Sequence, residues 1–458
     1  MKQITKYLLV LPLFFLLLFS CKMGKNYTRP EITSPDNFIF SYGDTTYNEA
    51  LKWWDIFNDP VLDTLIKKAL SNNKDLLAAA QNVEAVRLQM AIQKAELWPQ
   101  FNYSATAGRG NFQGLKLPET SNNFSGVAQA SWEIDFWGKL RRMNESAKAQ
   151  YLASEYGLNA LRLSLISTVA TTYFQVMEFK TRTIIAEQTY AIRDSSYLII
   201  SQRFEAGIIP AIDLNHARIQ RAIAAQAIPL YKRGTAQSEN LLAVLIGENP
   251  KKMDLTGNLD SYSEIPAIPP GLPSDLLERR PDIMQAEQEL IAQNAMIGAA
   301  QAARLPSLSL TGMLGLASDD LSTLTSGDPA WSVSGSLLGP IFNWGKNTNR
   351  VKAERARTEA AVYNYENTIL QAFREVEDAL ISIETLKEEE VAIREHVEAA
   401  MEAAILSGDR YDKGIASYIE FLESQRQAFE AQMFQTGNKQ DLLEAYIKLY
   451  QALGGGWQ

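Results

Sequence analysis

The chain has 458 residues, 46% of them hydrophobic and 21% charged, the balance of a folded protein and not of a disordered one. Its formal net charge of -9, with no basic cluster, excludes nucleic acid as the natural partner. The single cysteine, Cys21, excludes an internal disulfide and a thiolate metal site.

In chain order, the first signal is a targeting segment over residues 1–20. Lys2 and Lys6 supply a positive start, and residues 7–19 form an apolar run too short to span a membrane comfortably. The run ends in Leu18-Phe19-Ser20-Cys21, which resembles a bacterial lipobox; Cys21 is then the lipid-attachment residue and the start of the mature chain. Lys22, rather than an aspartate, follows it, which in lipoproteins generally favours sorting to the outer membrane. Residues 21–59 read as a lipid-anchored N-terminal segment.

The remainder is organised by an internal duplication. Pro99 and Pro306, Trp137 and Trp344, Gly138 and Gly345, Gly207 and Gly414, Asp75 and Asp282, and Gly247 and Gly454 are each 207 positions apart. The two copies are placed at residues 60–248 and 274–454, joined by a Pro-rich connection at 249–273 and followed by a short tail, 455–458.

Each copy changes hydrophobic period in the same order. Residues 60–97, rich in Ala, Leu, Gln and Lys, predict a helix that stops before Pro99. Phe101, Tyr103, Ala105 and Ala107 then alternate with small or polar residues, as do Phe124, Gly126, Ala128, Ala130 and Trp132. This is a hairpin over 101–133. Its counterpart spans 308–338, where Leu308, Leu310, Trp331, Val333, Gly335 and Leu337 alternate with Ser and Thr. From Gly138 to Ala206 no proline occurs, and the period becomes helical. Ile166, Val169, Tyr173 and Val176 form a heptad-like seam, repeated as Phe373, Val376, Leu380 and Ile383. At 1.5 Å per residue such a helix is on the order of 100 Å long. Gly207 and Pro210 turn the chain into a return helix over 211–247. Ser274 is placed as N-cap of the next helix.

No stretch after the signal approaches eighteen uninterrupted apolar residues, so a membrane-spanning reading must use strands. Each strand is about ten residues long with one apolar and one small, polar face, and Trp98, Trp132, Trp137, Trp331 and Trp344 lie at or near strand ends. Four strands cannot close a barrel. Three chains supply twelve and leave room for a pore, whereas eight would be filled by side chains.

The chain resembles the TolC-like outer-membrane factor family, in particular the lipoprotein branch of resistance-nodulation-division efflux systems. The resemblance rests on Trp53-Trp54-Asp55 with Phe57 and Asp59-Pro60, on Asp135-Phe136-Trp137-Gly138, on Leu276 through Arg279-Arg280-Pro281-Asp282-Ile283, on Pro340-Ile341-Phe342, and on Ala452 through Gly456-Trp457. It implies a mixed α/β membrane protein: a homotrimer in outer-membrane lipid, with a twelve-stranded transmembrane β-barrel continued by a periplasmic α-helical barrel. It implies as partners a periplasmic adaptor (membrane fusion) protein and an inner-membrane resistance-nodulation-division transporter. Adaptor-contacting turns are then Arg203, Phe204, Gly207 and Asp213 in the first copy and Arg410, Tyr411, Gly414 and Glu420 in the second. Asp409, Asp412 and Glu423 are gate candidates, since inward carboxylates would form a cation-attracting constriction. Ala416 departs from the polar or acidic residue common there.

No catalytic constellation, cofactor motif or metal-ligand spacing is present; His216 and His396 are isolated. The rival uses of the pattern are a duct for protein secretion and a structural coiled-coil lipoprotein without a pore.

Overall fold

The computed structural model describes residues 22–32, 34–40, 57–110, 120–253, 255, 259–262, 271 and 273–455. The signal segment, Cys21, the Trp53-Trp54-Asp55 motif, most of the Pro-rich connection and Trp457 lie outside the described residues. The chain forms two compact units, one from Met1–Ile32, Gln81–Tyr156 and Gln285–Asn367, the other from Thr33–Ala80, Gly157–Met284 and Thr368–Gln458. Each unit draws on both sequence copies.

The elements of the first copy are α1 (Pro60–Asn72), α2 (Lys74–Ala95), β1 (Gln100–Gly110), β2 (Ser121–Ile134), α3 (Lys139–Glu205) and α4 (Ala211–Leu245). The second copy has a short α5 (Leu276–Arg279), then α6 (Pro281–Ala302), β3 (Ser307–Ser318), β4 (Ala330–Leu338), α7 (Lys346–Asp412) and α8 (Tyr418–Ala452). The bounds of α2, α3 and α4 recur in α6, α7 and α8 after a shift of 207. The two long helices have 67 residues each, and neither contains a proline.

Two expected helix boundaries need correction. The helix expected over 60–97 is broken at Asn73, whose backbone is extended (ψ 126°). Its amide gains two bonds there: Oδ1 accepts from Leu76 N (2.9 Å) and Nδ2 donates to Leu245 O (3.0 Å). Ser274 is not a helix N-cap; it lies in a 3₁₀ turn, Pro273–Asp275, and the main helix begins at Pro281. The residue before a proline is driven out of the helical region, and Arg280 accordingly has ψ 119°.

The first-copy seam is as expected, with Ile166, Val169, Tyr173 and Val176 all buried. In the second copy Val376 and Ile383 are buried, but Phe373 and Leu380 are only half-buried. Buried Ala372 and Ala379 occupy the turns beside them, so the seam is rotated by one residue. Small side chains let neighbouring elements approach where bulky ones would not fit.

The sheet lies in the first unit, with strand order β1-β2-β3-β4, all antiparallel. β2 and β3 join the two copies. β1 and β4 are the edges, and β4 is exposed throughout.

Candidate functional site

Strand register decides which side chains share a face. Phe101 faces Ala130, Tyr103 faces Ala128, and Ala105 faces Gly126. Across the next joint Ala128 faces Leu314 and Trp132 faces Leu310; beyond it Leu310 faces Gly335, Gly312 faces Val333 and Leu314 faces Trp331. Because side chains alternate along each strand, these residues form one continuous apolar face across all four strands. The opposite face collects Asn102, Ser104, Thr106, Ser125, Gln129, Ser131, Ser309, Thr311, Ser332, Ser334 and Ser336. The apolar face is solvent-exposed in the single chain: Tyr103 is 90% exposed, Val333 77% and Leu337 71%. An apolar surface that extensive is a contact surface.

The helix-proximal end of the sheet is fixed by hydrogen bonds. Trp132 Nε1 donates to Leu97 O (3.0 Å), and Trp137 Nε1 donates to Pro306 O (2.9 Å). The Asp135 carboxylate accepts from Leu140 N (3.0 Å) and Arg141 N (2.8 Å), capping α3 at its positive end. This accounts for the aspartate of the Asp-Phe-Trp-Gly motif. The N-terminal segment is pinned to the same junction. Met23 N donates to Trp137 O (3.1 Å), buried Arg142 donates to Met23 O (2.8 Å) and Gly24 O (2.6 Å), and Lys22 pairs with Glu145 (2.6 Å). Further along, Arg29 makes two bonds to the Glu287 carboxylate (2.7 and 2.5 Å), and Tyr27 adds a third (3.1 Å).

In the second unit the two helical turns are built alike. At the first, Gly207 has φ 72°; its N–H bonds to Phe204 O (2.8 Å) and that of Ile208 to Arg203 O (2.9 Å). At the second, Gly414 has φ 70°, with Gly414 N to Tyr411 O and Ile415 N to Arg410 O, both 2.9 Å. Both are Schellman closures, which satisfy the last helical carbonyls and need a left-handed residue that glycine supplies without strain.

The structure brings most of the expected turn residues together. The Arg203 guanidinium lies over the Tyr411 ring (5.2 Å to its centroid). Arg410 pairs with Glu420 (3.3 Å), and the Tyr411 and Phe421 rings are near-parallel at 6.0 Å. Beneath them Ile200, Ala217, Tyr418 and Leu422 form a buried cluster joined by Leu214. Asp213 lies in the first turn of α4, where a carboxylate suits the helix dipole. Phe204, Ile208, Ile212, Ile415 and Ile419 are exposed around the turns.

The three gate candidates separate. Asp409 and Asp412 are exposed at the end of α7, and neither carboxylate has an ion-pair partner among the described residues. Glu423 is engaged: Arg426 and Gln427 bond to it and hold its carboxyl down at about 2. Arg426 also bonds Glu430 (2.7 Å).

Sequence reasoning missed two features here. Arg193, 3% exposed, donates to Gln220 O (3.0 Å) and lies over the Phe429 ring, with Nε and Nη2 unbonded; burial pushes its guanidinium down to about 10. No local signal marks it, since its counterpart 207 positions on is Ala400. The other is a duplicated clasp. Arg280 donates to Ala452 O (3.0 Å) as Asn73 donates to Leu245 O, the same contact in each copy. Arg280 also holds Asp282 (2.7 Å) and Glu375 (2.8 Å), which explains the Arg-Pro-Asp motif.

Comparison with known proteins agrees with this architecture. The family described as outer membrane efflux protein matches twice, over residues 65–248 and 272–455. The outer membrane protein OprJ of Pseudomonas aeruginosa is 34% identical, the match covering 97% of this chain and 95% of that one. The probable efflux pump outer membrane protein TtgC of Pseudomonas putida is also 34% identical, over 99% and 96% of the two chains. The solved open state of the MtrE outer membrane channel of Neisseria gonorrhoeae superposes with a TM-score of 0.86 at 31% identity, over 96% of this chain and 99% of that one. The chain belongs to the outer membrane efflux protein family and is an outer-membrane channel component of an efflux system.

Proposed function

We propose that three copies of this chain close a twelve-stranded barrel in the outer membrane, whose lumen is a passive exit for small molecules. An inner-membrane resistance-nodulation-division pump delivers them through a periplasmic adaptor, and the long helices form the periplasmic part of the duct. The observation that carries this reading is the sheet, apolar on one face, hydroxyl-lined on the other, and open at both edges. In hydrocarbon each unpaired backbone group costs several kcal/mol, so the edges of β1 and β4 must pair with further strands. Twelve strands allow a wet lumen, and the Ser- and Thr-rich face supplies its lining.

Lipid attachment at Cys21 fits the position of its neighbour. Lys22 and Met23 are held beside Trp137 at the helix-proximal end of the strands, the level of an interfacial tryptophan girdle. The glycine turns carry the adaptor contacts through Arg203, Phe204, Gly207 and Asp213 and through Arg410, Tyr411, Gly414 and Glu420. Their exposed isoleucines supply apolar area, and Arg410 with Glu420 supplies a polar rim. The gate assignment narrows to Asp409 and Asp412, because Arg426 already neutralises Glu423.

The test is conductance in planar bilayers. The purified protein is expected to give discrete, cation-preferring channels, and Asp409→Asn with Asp412→Asn to lower open probability, because the repulsion between carboxylates that favours opening is removed, and to weaken the cation preference. Absence of channels from trimeric protein would refute the duct. Channels unaltered by the double substitution would refute the gate alone.

A further inference from the structure

Resting on the trimeric-barrel reading, we infer the residue-by-residue register of the seam between subunits: β4 pairs antiparallel with the partner subunit's β1 over residues 332–338 and 110–104, so that Leu337 faces the partner's Ala105 and Ser336 the partner's Thr106. The occupant of this edge is therefore a second copy of the same chain.

The inference follows from the duplication. Within the chain, Phe101 faces Ala130 and Tyr103 faces Ala128; shifted by 207, these pairs become Leu308 facing Leu337 and Leu310 facing Gly335, which are pairs of the second hairpin. Hairpin register is thus the same in both copies. The β2–β3 joint leads from the second strand of one copy to the first strand of the other. Travelling round a closed barrel, the next such joint is β4 to the partner's β1. If successive joints are equivalent, each β2–β3 pair maps onto the seam by the same shift. Ala130 facing Gly312 becomes Leu337 facing the partner's Ala105. Gln129 facing Met313 becomes Ser336 facing the partner's Thr106. Ala128 facing Leu314 becomes Gly335 facing the partner's Ala107.

Two further observations agree with it. The apolar residues of β1 have odd numbers (Phe101, Tyr103, Ala105 and Ala107), as do those in the body of β4 (Trp331, Val333 and Leu337); the even-numbered Ala330 and Leu338 are the end residues of β4. A continuous apolar face across the seam therefore requires odd to face odd, as here; a slip of one residue would put Leu337 against a polar neighbour and break the face. In the mapped ladder Leu337 meets the small Ala105 of the partner subunit, as Leu314 meets Ala128 within the chain. The seam ladder is shorter than its internal counterpart for a covalent reason. β2 continues to Ile134, whereas β4 stops at Leu338, because Pro340 has no N–H to donate. Ile341, the counterpart of Ile134, is fully exposed.

Paired cysteines test the register, since native Cys21 is the chain's only thiol and single-cysteine variants control for it. Directly opposed β-carbons lie about 5 Å apart, whereas a slip of two residues separates them by roughly 7 Å, beyond disulfide reach. Hydrogen-bonded and open pairs alternate along a ladder, so one pair from each face is used: Ser336→Cys with Thr106→Cys, and Leu337→Cys with Ala105→Cys. On oxidation in the outer membrane, at least one pair is expected to convert monomer into covalent trimer. The shifted pairs, Ser336→Cys with Ser104→Cys or with Gly108→Cys, should leave monomer. Cross-linking through the shifted pairs alone would overturn the register and leave the barrel standing. No cross-link through any β1–β4 pair, together with a monomeric mass in detergent, would overturn both.

Discussion

Ala128→Lys is expected to abolish assembly of the protein in the outer membrane, whereas Gln129→Lys, one residue away, should leave assembly intact. Ala128 lies in the middle of the apolar face, between Tyr103 and Leu314 on the adjoining strands. A lysine on a lipid-facing barrel position at the bilayer midplane costs roughly 2–4 kcal/mol, and the proposed homotrimer incurs that three times. The sum is comparable with the whole stability of a typical domain. Gln129 faces the other way, between Asn102 and Met313, and in the proposed barrel a cation there stands in water. Membrane fractionation with trimer detection checks the pair. Conductance of the Gln129→Lys protein should also shift toward anions, because three cations then line the lumen. Equal assembly of both variants would mean that neither face meets lipid.

Arg280→Ala should cost the second unit clearly more stability than Asn73→Ala, the substitution at the equivalent position of the first copy. Arg280 is 7% exposed, and its guanidinium joins Ala452 O, Asp282 and Glu375, drawing together the start of α6, the body of α7 and the end of α8. Removing one partner of a buried ion pair costs about 3–5 kcal/mol, but the two carboxylates are partly exposed, so about 2–3 kcal/mol is expected. That corresponds to a fall of roughly 3–6 °C in Tm. Arg280→Lys should recover part of it, since a lysine keeps the charge but not the fork that holds Asp282 and Ala452 O together. Asn73→Ala, which breaks the equivalent but uncharged clasp to Leu245 O, should cost only about 1 kcal/mol. Thermal denaturation at one fixed scan rate compares the three. A Tm for Arg280→Ala no lower than that of Asn73→Ala would contradict the ranking.

The parts of the fold that were legible in the sequence are those governed by local period. Alternation along residues 101–107 and 124–132 assigns both faces of a hairpin, and the shift of 207 carries that assignment to the second copy. The glycine turns were legible because Gly207 and Gly414 stand where only a left-handed residue closes a Schellman motif. What was not legible depends on distant partners. The break at Asn73 is stabilised by a carbonyl 172 residues away, and nothing in 60–97 reports it. The rotation of the second seam arises because Ala372 and Ala379 are small enough to be covered, a fact of packing and not of hydrophobicity. Among the site residues, Glu423 looked equivalent to Asp409 and Asp412 in an acidic stretch. Only the side-chain geometry shows that Arg426 holds it. The pairing of β2 with β3 was likewise out of reach, because two hairpins of matching pattern can be joined in more than one way.

Label accessibility scanned residue by residue along 124–133 bears most directly on the membrane placement of the sheet. Single cysteines carrying a spin label are read in liposomes for collision with oxygen, which concentrates in lipid, and with a water-soluble nickel complex. Phe124, Gly126, Ala128, Ala130 and Trp132 should favour oxygen, and Ser125, Val127, Gln129, Ser131 and Glu133 the nickel complex, with the preference reversing at every residue. Uniform access to nickel along the whole strand would place the sheet in water and remove the basis for a pore.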